Sequence, residues 1–472
     1  MIRKILIANR GEIAVRIVRA CREMGIKSVA VYTDADRHAL HVKKADESYN
    51  IGPESVAGYL NVHRLVNLAR ETGCDALHPG YGFLSENPLL AAICKARRIR
   101  FIGPRPDVIR RMGDKTEARQ AMQAAGIPVV PGSDGNLGSL EEALEVARHM
   151  GYPVMLKATS GGGGRGIRRC DSDDDLKRHF ERVVSEAGKA FGTAEVFMEK
   201  AIVNPRHIEV QVLADHHGNV LHLFERDCSI QRRHQKLIEI APSPQLDDTG
   251  RARLGDYAIR AARAVGYTNA GTVEFLLDSR GEVHFMEMNT RLQVEHTVTE
   301  QITGIDIVQE QIRIADDQPL RYHQDEIERR GFAAQFRINA EDPQNRFLPS
   351  FGRVTRYYAP GGPGVRTDGA IYTGYVIPPY YDSLCMKLTV WAMDWECLLN
   401  RAGRALSDLG LAGVKTTIPY HQEILRTPEF RSGRFDTGFV ERHPELLDYS
   451  SPRPPQDVAA AIAASIAAHM GF

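Results

Sequence analysis

The chain has 472 residues, 60 Lys+Arg against 60 Asp+Glu, 43% hydrophobic and 25% charged residues. This composition excludes global disorder, and at roughly 150 residues per domain the length provides for about three domains. Zero formal charge argues against nucleic acid or an acidic membrane surface as the partner, and no apolar run reaches the ~18 residues of a membrane span.

The opening apolar run ends at Asn9-Arg10-Gly11-Glu12, too early for a secretory signal. The seven cysteines are scattered without a Cys-x-x-Cys pair. They fit a cytoplasmic, reducing setting rather than a disulfide frame or a zinc site. Lys4–Ala8 reads as a buried strand. A helix follows with Ile13, Ile17, Cys21 and Met24 on one face, ended by Gly25, and Lys27–Tyr32 is a second strand. Strand, helix and strand at this spacing predict a parallel βαβ unit. Its first turn lacks Gly-x-Gly-x-x-Gly, which disfavours a dinucleotide site. The turn His78–Asn87 is either a tight connection or the wall of a site, because Tyr81 and Glu86 are costly residues for a mere turn.

Pro128, Pro131, Gly132, Gly135 and Gly138 mark a joint. A compact α/β segment then runs to about 203, with strands expected at Tyr152–Ala158, Ile167–Cys170 and Glu195–Lys200. The region from about 204 to 445 reads as mostly short strands and helices. Beyond Pro452, Pro454 and Pro455 an Ala-rich tail carries Val458, Ile462, Ile466 and Met470 on one helical stripe.

Ser160-Gly161-Gly162-Gly163-Gly164-Arg165-Gly166 cannot be a packed element. With strands on both sides and no Gly-Lys-Ser/Thr, it predicts a flap whose backbone N–H groups meet phosphate, or else a flexible hinge. Lys157, in an apolar strand just before it, is expensive unless it meets an anion; Lys115 is less diagnostic. Further on, the strands 271–278 and 283–289 flank a four-residue turn. That spacing pairs 278 with 283 and 274 with 287, placing Glu274 and Glu287 roughly 5 Å apart at Cβ, with Asn289 on the same face. Two facing carboxylates need a cation, a shared proton or a nearby Arg, and oxygen ligands plus an amide suit Mg²⁺ with a substrate phosphate. If the next segment is extended, Arg291, Gln293 and Glu295 face one way and Val294 the other. That offers a planar oxyanion a bidentate fork and a base. The basic run Gln231–Lys236 is either a solvated face or a further wall of this pocket.

At this point eight motifs, in order, resemble one family: Ala8–Ala14, His78–Asn87, Gly161–Gly166, Glu225–Ser229, Gln231–Lys236, Glu287–Arg291, Val294–His296 and Arg337–Pro343. Together they resemble biotin carboxylase, the ATP-grasp component of biotin-dependent carboxylases, over about residues 1–445. The resemblance implies an α/β ATP-grasp fold. It divides into a Rossmann-like domain (1–113), an ATP-grasp domain (114–320) with a lid (131–203), a C-terminal domain (321–445) and a linker with a terminal helix (446–472). It implies ATP, Mg²⁺ or Mn²⁺, bicarbonate and a biotin carrier. Lys115, Lys157, Gly163, Gly164, His207, Gln231 and His234 would hold ATP, with Glu199, Lys200 and Ile202 as the adenine edge. Glu274, Glu287 and Asn289 would hold metal. Lys236, Arg291, Gln293 and Val294 would grip bicarbonate. Glu295 would be the base, and Arg337 would stabilise the biotin enolate, with Tyr81 beside it.

Some positions depart from the family pattern. Ser160 stands where many relatives extend the Gly run, and Gln335-Phe336 replaces a common Glu-Cys pair. Ile240 resembles pyruvate carboxylases rather than acyl-CoA carboxylases. Arg19, Glu23 and Arg366 match positions of the family's dimer interface, whereas Pro363 replaces an aromatic. Cys385-Met386-Lys387-Leu388 resembles a biotin attachment turn but lies too far from the end of the chain. The carrier and the carboxyltransferase are therefore expected on another chain, with a 2-oxo acid such as pyruvate as the final acceptor; an acyl-CoA acceptor or a different carboxylate–amine ligation are the alternatives. The tail is expected either to pack on its own body or to dock that partner.

Overall fold

The computed structural model describes residues 1–53, 56–133, 135–158, 167–191, 195–450 and 455–470. The first βαβ unit forms as expected, from strand Lys4–Ile7, helix Gly11–Glu23 and strand Lys27–Tyr32. Ile13, Ile17 and Cys21 turn into the core, and Gly25 continues past the helix end at φ +69, a conformation that suits glycine. Strands Glu47–Asn50, Ala76–His78 and Arg100–Phe101 complete a five-stranded parallel sheet with Lys4–Ile7 at its centre. The loops at the carboxyl ends of these strands are where an open α/β sheet presents ligand-contacting residues.

A second sheet carries most of the chemistry. Its eight strands run in the spatial order Val283–Asn289, Asn269–Leu277, Arg206–Ala214, Val220–Arg232, Gln235–Ala241, Phe332–Asn339, Leu384–Ala392 and Val365–Gly369, all antiparallel. The expectation of mostly short strands after 204 is corrected here: Val220–Arg232 has 13 residues and Arg206–Ala214 has 9. Their polar residues face partners inside the sheet, which hides the alternation that marks a long strand. The sheet also runs through residue 320, since Gln235–Ala241 pairs with Phe332–Asn339.

Within the hairpin Glu274 pairs with Glu287 as expected, but residue 283 pairs with Leu277 rather than Asp278. A bulge at Met286 shifts the register between Glu274 and Phe275, and the connection is one residue longer than the expected turn. Asp278 instead organises that connection by accepting from the Arg280 and Glu282 N–H groups at 2.8 and 2.9 Å.

A third, three-stranded antiparallel sheet has Val154–Ala158 between Ile167–Cys170 and Val196–Lys200. Helix Leu140–Met150, capped by the Ser139 side chain, packs with it around Leu156, Val183 and Met198. The Gly-rich run, with Gly163 and Gly164, lies outside the described residues, as do Pro452 and Pro454. Helix Pro455–His469 forms, but Ile462, Ile466 and Met470 are 54%, 54% and 66% exposed, so these three side chains do not pack on the chain's own body. No helix among the described residues is long and apolar enough to cross a membrane.

Candidate active site

The central strands place three polar side chains on one face of the sheet. His207, Glu209 and Gln211 alternate along Arg206–Ala214. Glu274 pairs with Glu209 on the neighbouring strand. Hydrogen bonds between carboxylates and cations fill the space above. Lys236 Nζ donates to Glu209 Oε2 at 2.6 Å, Glu295 Oε1 at 2.6 Å and Glu274 Oε1 at 3.1 Å. The second Glu295 oxygen accepts from Arg337 Nη2 at 3.0 Å, and Arg337 Nε donates to Glu239 Oε1 at 2.5 Å. One carboxylate thus lies between an ammonium and a guanidinium.

Electrostatics set the protonation states. Burial alone would raise the Glu295 carboxyl, but Lys236 and Arg337 outweigh it and Glu295 is held below its usual range. Glu274 is also depressed: burial opposes ionisation, and Lys236 and His207, whose Nε2 is 2.7 Å from Glu274 Oε2, overcome it. Glu287 goes the other way, raised by burial and by the Glu274 charge. Burial lowers the Lys115 amine, although Glu287 pulls it back up.

Arg291, Gln293 and Glu295 do converge, but not as one face of a strand. Residues 290–295 form a bend and turn leading into helix His296–Thr303. Arg291 Nε donates to Glu86 Oε2 at 2.8 Å, Nη2 to Asn289 Oδ1 at 2.9 Å and Nη1 to Gln293 Oε1 at 3.0 Å. Gln293 and Asn289 each donate to Glu274 Oε1 at 2.8 Å. Glu86 places the His78–Asn87 turn at the site wall, and Tyr81, from the same turn, donates its hydroxyl proton to Glu12.

The remaining expected residues lie around this cluster. Lys115 begins helix Lys115–Ala124, capped by Asp114. Lys157 forms a salt bridge with Glu199 across neighbouring strands, so the anion it meets in this structure is a carboxylate. The Lys200 ammonium turns back to the Gly151 and Tyr152 carbonyls at 2.8 and 3.0 Å. Ile202 follows this strand at partial exposure. Gln231 is buried, while His234 sits in the two-residue turn Arg233-His234, both residues at positive φ, which gives the basic run a tight hairpin tip. Sequence reasoning missed Glu209, Glu239 and the fully buried Arg226. Arg226 donates to Glu209, to Gln211 at 2.8 Å, Thr299 at 2.9 Å and Thr272 at 3.1 Å. The available signal was charged residues at alternate positions in otherwise apolar strands.

Family models for the biotin carboxylase N-terminal domain, the carbamoyl-phosphate synthase L chain ATP-binding domain and the biotin carboxylase C-terminal domain match residues 1–109, 114–323 and 335–442. The chain belongs to the biotin carboxylase family. It is therefore an ATP-dependent carboxylating ligase with an ATP-grasp fold. It is 52% identical over 472 residues, the whole of both chains, to the 2-oxoglutarate carboxylase small subunit of Hydrogenobacter thermophilus. It is 52% identical to a pyruvate carboxylase subunit of Methanothermobacter thermautotrophicus, covering 95% of this chain and 91% of that one. The biotin carboxylase domain dimer of the Hydrogenobacter thermophilus 2-oxoglutarate carboxylase, in complex with MgADP, ADP and bicarbonate, superposes with a TM-score of 0.94. That match is at 52% identity and covers 96% of this chain and all of that one.

Proposed function

We propose that this biotin carboxylase carries out the first half-reaction of a two-subunit 2-oxo acid carboxylase, with the side chains above in defined roles. The observation that carries the site assignment is the Glu295 carboxylate, ionised and held between Lys236 and Arg337. Bicarbonate lies against Lys236, Arg291, Gln293 and the Val294 backbone, and Glu295 takes its hydroxyl proton. A bicarbonate oxygen then attacks the γ-phosphorus of ATP, the bond to the ADP oxygen breaks, and carboxyphosphate forms. Carboxyphosphate breaks into CO₂ and trianionic phosphate; the phosphate takes the N–H proton of the biotin ureido group, and the nitrogen so freed bonds to CO₂. Arg337 stabilises the enolate that biotin forms, and Tyr81 lines the same end of the pocket.

Glu274, Glu287 and Asn289 fit a divalent cation. Two carboxylates face each other in register, and Glu287 forms no ion pair among the described residues, its carboxyl raised by burial and by the Glu274 charge. When bound there, Mg²⁺ or Mn²⁺ neutralises phosphate oxygens. Lys115, Lys157, His207, Gln231 and His234 surround the nucleotide phosphates together with Gly163 and Gly164, and the backbone of Glu199, Lys200 and Ile202 meets adenine. The segment 131–203 closes as a lid, because carboxyphosphate is labile in water.

Likeness over the whole of the 2-oxoglutarate carboxylase chain and over 91% of the pyruvate carboxylase chain supports a 2-oxo acid as the final acceptor, as does the resemblance of Ile240 to pyruvate carboxylases. The biotin carrier and carboxyltransferase reside on a partner chain. Lys387, whose surrounding sequence resembles a biotin attachment turn, lies instead within the strand Leu384–Ala392 with its side chain fully buried. The dimer reported for the relative supports a homodimer here. Arg19, 51% exposed and only 3.8 Å from Asp368, is the position that would reach across, whereas Arg366 is held within the chain by Glu300 and Asp368, both at 2.6 Å. Seven unpaired cysteines support a cytoplasmic location. The test is bicarbonate-dependent ATP hydrolysis by the purified chain: free biotin should stimulate it, and absence of any biotin response refutes the assignment. An acceptor scan with the partner chain separates 2-oxo acids from acyl-CoA.

A further inference from the structure

Lys387 is among the largest fully buried side chains of the protein. It lies on Leu384–Ala392, the strand next to the one carrying Arg337, and no step above uses it. Among the described residues its ammonium has two partners at hydrogen-bond distance, Glu12 Oε1 at 3.0 Å and the Val294 carbonyl oxygen at 3.0 Å. A buried ammonium requires a counter-charge, and Glu12 supplies it. The bond to Val294 is the one with a consequence for the site. Val294 lies between Gln293, which is bonded to Glu274, and Glu295, which is bonded to Lys236 and Arg337.

In a planar trans peptide the carbonyl and the following N–H point in opposite directions. An ammonium holding the Val294 carbonyl therefore aims the Glu295 N–H away from Lys387. Among the described residues no backbone or side-chain acceptor takes that N–H. A positive charge on the carbonyl also polarises the peptide and strengthens its N–H as a donor. We propose that Lys387 is a positioning residue for bicarbonate: it fixes the Val294–Glu295 peptide so that the N–H and the carboxylate of Glu295 both face the anion. Glu12 is its counter-ion. The Tyr81 hydroxyl, donating to the same Glu12 oxygen, ties the biotin-side turn to this support. The inference rests on the reading of Gln293–Glu295 as the bicarbonate cradle.

The test uses the full-length chain with the paired substitutions E12Q and K387M, which remove both buried charges at nearly constant volume. The expected result is a roughly tenfold rise in the bicarbonate KM, the scale of one charge-assisted hydrogen bond, with the ATP KM within about twofold of wild type. Unchanged bicarbonate KM, or equal shifts in both constants, overturns the proposal. K387Q, which keeps an N–H donor, is the second variant should the first not fold. It should restore the bicarbonate KM to within about threefold of wild type, and equal shifts for ATP and bicarbonate in K387Q also overturn the proposal. Failure of the cradle reading itself has a different signature: Gln293→Ala would then leave the bicarbonate KM untouched.

Discussion

Four fully buried imidazoles predict a steep loss of stability in mild acid. His78 and His296 are pushed down to about 3, and His41 and His421 to about 4, in each case mainly by burial. The hydrogen bonds show why. His41 Nε2, His296 Nδ1 and His421 Nε2 each donate to a carbonyl, of Val31, Gln293 and Arg337. The other ring nitrogen of each is buried without a hydrogen-bond partner among the described residues, so a second proton would have no acceptor within hydrogen-bond reach, the Glu300 carboxylate standing 4.0 Å from His296 Nε2. His78 Nδ1 accepts the Gly80 N–H at 3.0 Å, and protonation there would break that bond. In the unfolded chain each imidazole titrates near 6.5. The folded state excludes the proton while the unfolded state takes it, so stability falls as the pH drops below about 6.5 and continues to fall until about 3–4. At pH 5.5 each group costs about 1.4 kcal/mol relative to pH 7.5, and the four together about 6 kcal/mol, a large part of a typical domain's stability. The carboxyls of Glu12, Glu239 and Glu287, raised chiefly by burial, act in the opposite sense above about pH 4.5. A single substitution isolates one imidazole from them. His41→Gln keeps a donor for the Val31 carbonyl and lies away from the site. Urea unfolding at pH 7.5 and 5.5 should show the pH-dependent loss smaller by about 1.4 kcal/mol in this variant. An unchanged loss, or a His41 resonance titrating near 6.5 in the folded protein, would contradict this account.

Three further outcomes follow from the same geometry. Glu295→Gln removes the base and should lower turnover by roughly 10²–10⁴-fold with ATP binding retained; steady-state rates with nucleotide titration check this, and wild-type turnover would remove Glu295 from the mechanism. Arg226→Met leaves Glu209 paired with Lys236 alone and should destabilise the fold by about 3–5 kcal/mol, read as a lowered unfolding midpoint. At Gly331, φ is +65 and an added Cβ would collide with the Ala392 carbonyl oxygen. Gly331→Ala should therefore reduce stability by more than about 1 kcal/mol without altering the substrate KM values, and an unchanged melting temperature would refute it.

The first βαβ unit was legible because Ile13, Ile17 and Cys21 repeat at a helical spacing and a buried parallel strand needs only an apolar run. The facing pair Glu274 and Glu287 agrees with the strand period, but its register is met only because the bulge at Met286 offsets the extra residue of the connection. The Met286 bulge was not, since inserting one residue changes pairing without changing composition. The fold of Thr290–Glu295 into a turn was not legible either: Arg291 and Gln293 reach the same pocket through bonds to Glu86 and Glu274, which other elements of the chain bring there.

The groups that react are local in the chain, so their types could be read from residue order alone: an Arg–Gln–Glu cluster beside paired acids, and a lysine before a glycine run. Their surroundings are not local. That Lys236 has three carboxylate partners, that Glu209 and Glu239 complete the network and that Lys387 supports the Val294 carbonyl emerged from the packed fold. A buried charge is stabilised by whatever the fold brings within about 3 Å of it, and residues as far apart as Glu12, Val294 and Lys387 meet only when the sheets pack.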